Sequence, residues 1–192
     1  DPVKGERYRP FAVVPSVAVN LEQKIYLFAG RDPKNIMLTL KSGRSDVSGN
    51  IKLRLPEGWK SSPETLPFQL SKKYDEAKIQ FSIEPPPLNT EGFLTAEAEV
   101  SGKNHKQGIQ LIQYDHIPVQ TIFPAAKAKL IRLDIQSASQ RVGYIMGSGD
   151  QIPDFLSQLG IKVTLLSDED LEHGNFESFD AIVAGIRAYN TR

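Results

Sequence analysis

Leu94-Thr95-Ala96-Glu97-Ala98-Glu99-Val100 alternates apolar and polar residues without a break. Successive side chains on a strand point to opposite faces, so this pattern sends one face into a core and the other into water. The same period recurs elsewhere. Ile36, Leu38 and Leu40 alternate with Met37, Thr39 and Lys41. Ile51, Leu53 and Leu55 alternate with Lys52 and Arg54, and Ile79, Phe81 and Ile83 with Lys78, Gln80 and Ser82. Further strands are expected over 12–19, 24–28, 66–70 and 108–114. Turn formers punctuate these runs at Gly30-Arg31-Asp32-Pro33, Ser48-Gly49-Asn50, Pro56-Glu57-Gly58 and Gly102-Lys103-Asn104. Gly and Asn accept positive φ and Pro fixes φ, so reversals fall there. Short, regularly spaced strands predict a mainly β chain, with an immunoglobulin-like antiparallel β-sandwich over 1–124.

The character changes after Pro124. Residues 125–140 read as a connector or a last strand. Val142-Gly143-Tyr144-Ile145-Met146 is then a short apolar run, followed by Gly147-Ser148-Gly149-Asp150. Ile152, Phe155, Leu156 and Leu159 recur at helical spacing. Asp150 suits the start of that helix, Pro153 its first turn and Gly160 its end. Residues 161–166 and 181–184 read as further apolar strands. This order predicts a βαβ unit with parallel strands, a partial, flavodoxin-like α/β segment over 141–192. Three strands are fewer than a doubly wound sheet carries. The expectation is a truncated domain, or one whose open edge is covered by the sandwich or by a second copy in a homodimer.

Composition narrows the function classes. The 192 residues include 40% hydrophobic ones, enough for a core, and the formal net charge is +0. A nucleic-acid binder carries a basic surplus, and none is present. There is no cysteine, which removes disulfides, thiolate nucleophiles and cysteine-ligated metals. No apolar run approaches the roughly 20 residues of a spanning helix, so no membrane insertion is expected. His105, His116 and His173 match no zinc spacing, and no Gly-x-Ser-x-Gly elbow exists. No catalytic residue, metal or cofactor is therefore expected in this chain.

Three segments remain as candidate sites. Gly147, Ser148, Gly149 and Asp150 join a strand to a helix, where backbone N–H groups can hold an anion. Ile152, with Pro153 after it, stands where a dinucleotide fingerprint has its third glycine, and Asp150 would repel a phosphate. The preferred reading is a tight turn with a capping Asp; the other is a ligand-binding loop. Arg187, Tyr189 and Asn190 follow the third strand and should emerge at the same sheet edge, a second ligand-binding candidate. Trp59, the one tryptophan, lies in Leu55-Pro56-Glu57-Gly58-Trp59. It is either an exposed platform for carbohydrate contact or, preferably, a ring folded into the sandwich end. Asp168-Glu169-Asp170 reads as a solvated acidic loop or a helix cap.

Several of these segments also carry a resemblance. Leu55-Pro56-Glu57-Gly58-Trp59, with Phe68 and Leu70 after it, resembles the sandwich domain associated with α-galactosidases and other glycan-active enzymes. Gly143 to Asp150 and Asp180 to Thr191, with Arg9-Pro10 and Tyr114-Asp115-His116-Ile117-Pro118, look like the C-terminal part of large bacterial PIG-L (LmbE-like) deacetylases. The α/β segment is similar to class I glutamine amidotransferase-like domains. The resemblance implies a periplasmic or extracellular parent that deacetylates N-acetylated sugars of the N-acetylglucosamine type with a divalent metal. This chain would be its accessory region, partnered by an upstream catalytic domain of the same polypeptide and touching glycan. The family's His-Pro-Asp-Asp run is absent, so no catalytic residue carries over. The nucleophilic Cys of an amidotransferase is absent too.

Overall fold

The computed structural model describes residues 11–114, 116–136 and 139–190. Arg9-Pro10, Asp115 and Thr191, quoted above for the resemblance, lie outside them. The chain forms two compact units: residues up to Ile25 with 32–86 and 91–130, and 26–31 with 87–90 and 131 onward.

The sandwich is built on two mainly antiparallel sheets. One has the order β1 (Val17–Leu21), β3 (Lys34–Ser42), β7 (Glu76–Glu84), β5 (Lys60–Ser62). The other runs β2 (Ile25–Phe28), β12 (Lys127–Arg132), β8 (Thr90–Val100), β4 (Val47–Arg54), β6 (Thr65–Leu70), with β9 (Lys103–His105) beside β8. A separate hairpin pairs β10 (Gln110–Ile112) with β11 (Gln120–Ile122).

Register follows the alternation. Ile36 faces Phe81 and Leu38 faces Ile79 across β3 and β7, while Ile51 faces Ala98 and Leu53 faces Ala96 across β4 and β8. Most of the predicted inward set is buried, with Ile36, Leu38, Leu40, Ile51, Phe81, Ile83, Leu94, Ala96 and Ala98 all at most 1% exposed, while Leu55 and Ile79 are half-buried. Each large aliphatic in that set contributes about 2 kcal/mol by leaving water. The mainly β, immunoglobulin-like sandwich is therefore the fold of this region. Of the 125–140 segment, Lys127–Arg132 is a strand of the second sheet.

One alternation needs correcting. Glu97 belongs to the water-facing set of β8, yet its side chain is 1% exposed. Arg54 Nε and Lys106 Nζ each approach its Oε1 at 2.6 Å. Both cationic side chains remain largely exposed, 61% for Arg54 and 48% for Lys106. Burial raises the Glu97 pKa, but hydrogen bonds and charge from Lys106 and Arg54 outweigh it and hold the carboxyl below its ordinary value.

The second unit carries a parallel sheet of order β14 (Lys162–Leu165), β13 (Arg141–Ile145), β15 (Ala181–Ala184). Gly143 is level with Thr164 on one side and Ile182 on the other. Helix α1 (Ile152–Gln158) links β13 to β14, and α2 (Asp168–His173) links β14 to β15. The α1 C-terminus closes with Gly160 N–H donating to Ser157 C=O (3.0 Å) and Ile161 N–H to Leu156 C=O (3.2 Å), a Schellman arrangement. Phe155, Leu156 and Leu159 are half-buried, whereas Ile152, the first residue of the predicted apolar face, is exposed. The acidic run 168–170 takes the helix-cap alternative: it is the first turn of α2. Ser167 Oγ accepts the Asp170 N–H and Asp170 accepts the Ser167 N–H, a reciprocal cap.

Candidate functional site

The strand order places β13 between its two successors, so the sheet has a topological switch point between β13 and β15. Open α/β sheets take ligands at the carboxyl ends of their strands at such a point. The two polar loops singled out in the sequence leave the sheet there, and the structure brings them together. Ser148 N–H donates to Ile186 C=O at 2.9 Å, and Gly185 N–H donates to Ile145 C=O at 2.8 Å. A Cβ at Gly147 would lie 2.1 Å from the Ile186 carbonyl oxygen. One at Gly185 would lie 2.5 Å from Asp150 Oδ2 and 2.8 Å from Gly147 N. Backbone contact this close admits only glycine at both positions.

The joint is also closed from below. Tyr144, fully buried on β13, donates its hydroxyl to Asp150 Oδ1 at 2.8 Å. Burial, then the hydrogen bond to Asp150 and the negative charge of that carboxylate, push the Tyr144 pKa up to about 12. Asp150 Oδ1 also accepts the Ile152 N–H at 3.3 Å. The residue at the N-cap position itself is Gln151, with no side-chain cap bond, so Asp150 ties the helix start to the strand rather than capping it in the expected way.

These bonds decide what the glycine turn can do. The Ser148 N–H is used on Ile186, the Gly149 N–H on the Gly147 carbonyl, and the Ile152 N–H on Asp150. An anion arriving at Ser148 or Gly149 would meet occupied donors and, beside them, the Asp150 carboxylate, whose Oδ2 is buried without a hydrogen-bond partner among the described residues. What the edge does present is side chains. Ser148, Arg187 and Asn190 are exposed, and Tyr189 is 84% exposed, while Ala188 between them is buried. Arg187 stands at φ +58, and Asn190 N–H donates back to its carbonyl at 2.9 Å.

Of the two readings of Trp59 the preferred one fits: the ring is only 6% exposed, folded in rather than an open platform for a sugar ring. Its segment is a turn. Trp59 N–H donates to Pro56 C=O at 3.3 Å, and Gly58 sits at φ +82. That is the third position of a type II turn, which requires positive φ. The ring is the apolar anchor of that turn and one wall of a cleft of about 460 Å³ shared with Lys52, Lys60, Ser61 and Glu64.

His105, expected in a turn, lies on β9, where burial, then the charges of Lys103 and Arg44, lower its pKa. His173 ends α2 in solvent, and the His116 ring stands 5.8 Å from that of Tyr114. Among the described residues no group of three or more His, Cys, Asp or Glu is placed to hold a metal ion, and no helix is long and apolar enough to cross a membrane.

No protein-family profile matches the chain, and no curated protein matches it. Solved structures show distant likeness. WR4, a C. elegans MSP family member, is 12% identical over 60% of this chain and 98% of its own, with a TM-score of 0.34. A Salmonella alpha-2-macroglobulin mutant is 12% identical over 62% of this chain and 7% of its own, at 0.41. A family 123 glycoside hydrolase from Clostridium perfringens is 10% identical over 82% of this chain and 33% of its own, at 0.38.

Proposed function

We propose that the chain is a non-catalytic accessory region of a multidomain, exported sugar N-deacetylase of the PIG-L (LmbE-like) kind, positioning an upstream catalytic domain. The observation that supports this reading is the closed joint at the switch point. The segments that carry the resemblance, Gly143 to Asp150 and the chain after Asp180, spend the Ser148, Gly149 and Gly185 N–H groups and one oxygen of the Asp150 carboxylate within the joint. The other motif, Leu55 to Trp59, is a turn with a buried anchor. Both uses are structural. The test is acetate release from N-acetylglucosamine oligomers by the purified chain with Zn²⁺ or Mg²⁺. Release no faster than the metal-only blank is expected, and metal-dependent release above it would overturn the proposal.

A second reading has one observation in its favour. The strand order puts Ser148, Arg187, Tyr189 and Asn190 at the switch point, where a small ligand would bind through side chains. A saturable, ligand-dependent rise in thermal stability that disappears in Arg187→Ala would support it, since binding to the native state raises stability.

A further inference from the structure

The turn between β6 and β7 holds an aromatic residue where glycine is normally required. Asp75 N–H donates to Lys72 C=O at 3.2 Å, closing a four-residue turn, and Tyr74 at its third position has φ +73. A bulky residue there is an outlier that the surroundings must impose. Ser42, 1% exposed, does so. It donates N–H to Asp75 C=O (2.9 Å) and Oγ–H to Lys72 C=O (2.6 Å), and accepts the Tyr74 N–H (3.0 Å). Strain of this kind, held by an over-determined backbone, collects at functional sites.

Its consequence is a displayed ring. Tyr74 is 62% exposed and walls a cleft of about 330 Å³, with Val14, Ala18, Ile109 and Leu111 among the apolar residues around it. That size lies in the range of small-molecule sites. One cation lines the cleft and a second stands beside its Tyr74 wall. Lys41 lines the cleft and is paired with Glu76 at 2.7 Å. Lys73 Nζ stands 4.9 Å from the Tyr74 ring centroid, and among the described residues no carboxylate pairs with it. The geometry points to a binding site for a free single-chain amphiphile with an anionic head, its hydrocarbon against Tyr74 and Leu111 and its head at Lys73. The apolar wall selects the chain, and the unneutralised ammonium selects the sign of the head.

Titration calorimetry with dodecanoate, against the uncharged decyl maltoside below its micelle concentration, tests this. One-to-one saturable binding of dodecanoate is expected, at least tenfold tighter than the maltoside. Lys73→Glu and Leu111→Asp should each weaken it at least tenfold. Tyr74→Gly separates the site from the fold: it relieves the turn, so the melting temperature should rise while dodecanoate binding falls at least tenfold. Absence of saturable binding to the natural chain, or equal binding of the maltoside, overturns the proposal. So does binding unchanged in both Tyr74→Gly and Leu111→Asp. Self-association lost in Leu111→Asp, with no dodecanoate uptake, would assign the cleft to a protein partner instead.

Discussion

The Tyr144 hydroxyl, at 0% exposure, reaches Asp150 six residues later at 2.8 Å and so fixes the exit of the central strand to the start of the following helix. Tyr144→Phe deletes one buried hydrogen bond and should cost about 1 kcal/mol in urea unfolding. The pH dependence has a definite sign. The folded pKa is raised to about 12 from 10.0, so the native state holds this proton more tightly than the unfolded chain. The contribution is complete below pH 10 and is lost as pH rises toward 12. The advantage of the natural chain over Tyr144→Phe should therefore shrink across that window.

Gly147→Ala should destabilise by about 2 kcal/mol or more, because its Cβ would meet a backbone carbonyl that cannot move independently. Gly30→Ala is the control. Nothing lies within 4 Å of its added Cβ, so its effect should stay within about 0.5 kcal/mol. Equal effects in thermal unfolding would contradict the close approach of the two loops.

Removal of the partners of Glu97 should be worse than removal of Glu97 itself. The double change Arg54→Met with Lys106→Met leaves a buried carboxylate unpaired, which costs about 3 kcal/mol or more. Glu97→Gln leaves two cations that are 61% and 48% exposed and can turn to solvent, so about 1 kcal/mol is expected. The folded carboxyl lies below its ordinary pKa, so this contribution is present above the unfolded value and is lost as pH falls through the folded one. Acid titration of stability should be shallower in Glu97→Gln.

Trp59→Ala should cost about 3 kcal/mol or more, as expected of a buried indole. Its fluorescence in the natural chain should ignore N-acetylglucosamine oligomers. A saturable change in emission would restore the ring as a sugar contact.

What the sequence disclosed, and what it hid, has physical causes. The alternation in 94–100, 36–41 and 79–83 places the inward residues correctly apart from half-buried Ile79, because burial of one face leaves a period-two trace. Strands β5, β9 and β11 are three residues each, too short to show any period. Helix α2 showed only through the cap alternative of its acidic run, and Ser167 with Asp170 three residues on was the capping signal that decides for it. Glu97 was misplaced because alternation assigns a face, not the residues that cover that face. The meeting of the two α/β loops was legible, since parallel strands send both to one edge. The occupation of their donors was not, since it depends on a carbonyl at Ile186, which every residue type carries. Tyr74 is likewise silent, because its backbone conformation is set by Ser42 thirty-two positions away.

Amide hydrogen exchange at Ser148, followed with and without phosphate and N-acetylglucosamine, tests the closed joint most directly. The account predicts a slowly exchanging amide, bonded to Ile186, whose rate neither compound changes. Fast exchange that either compound slows would contradict it and make the glycine turn a ligand-binding loop.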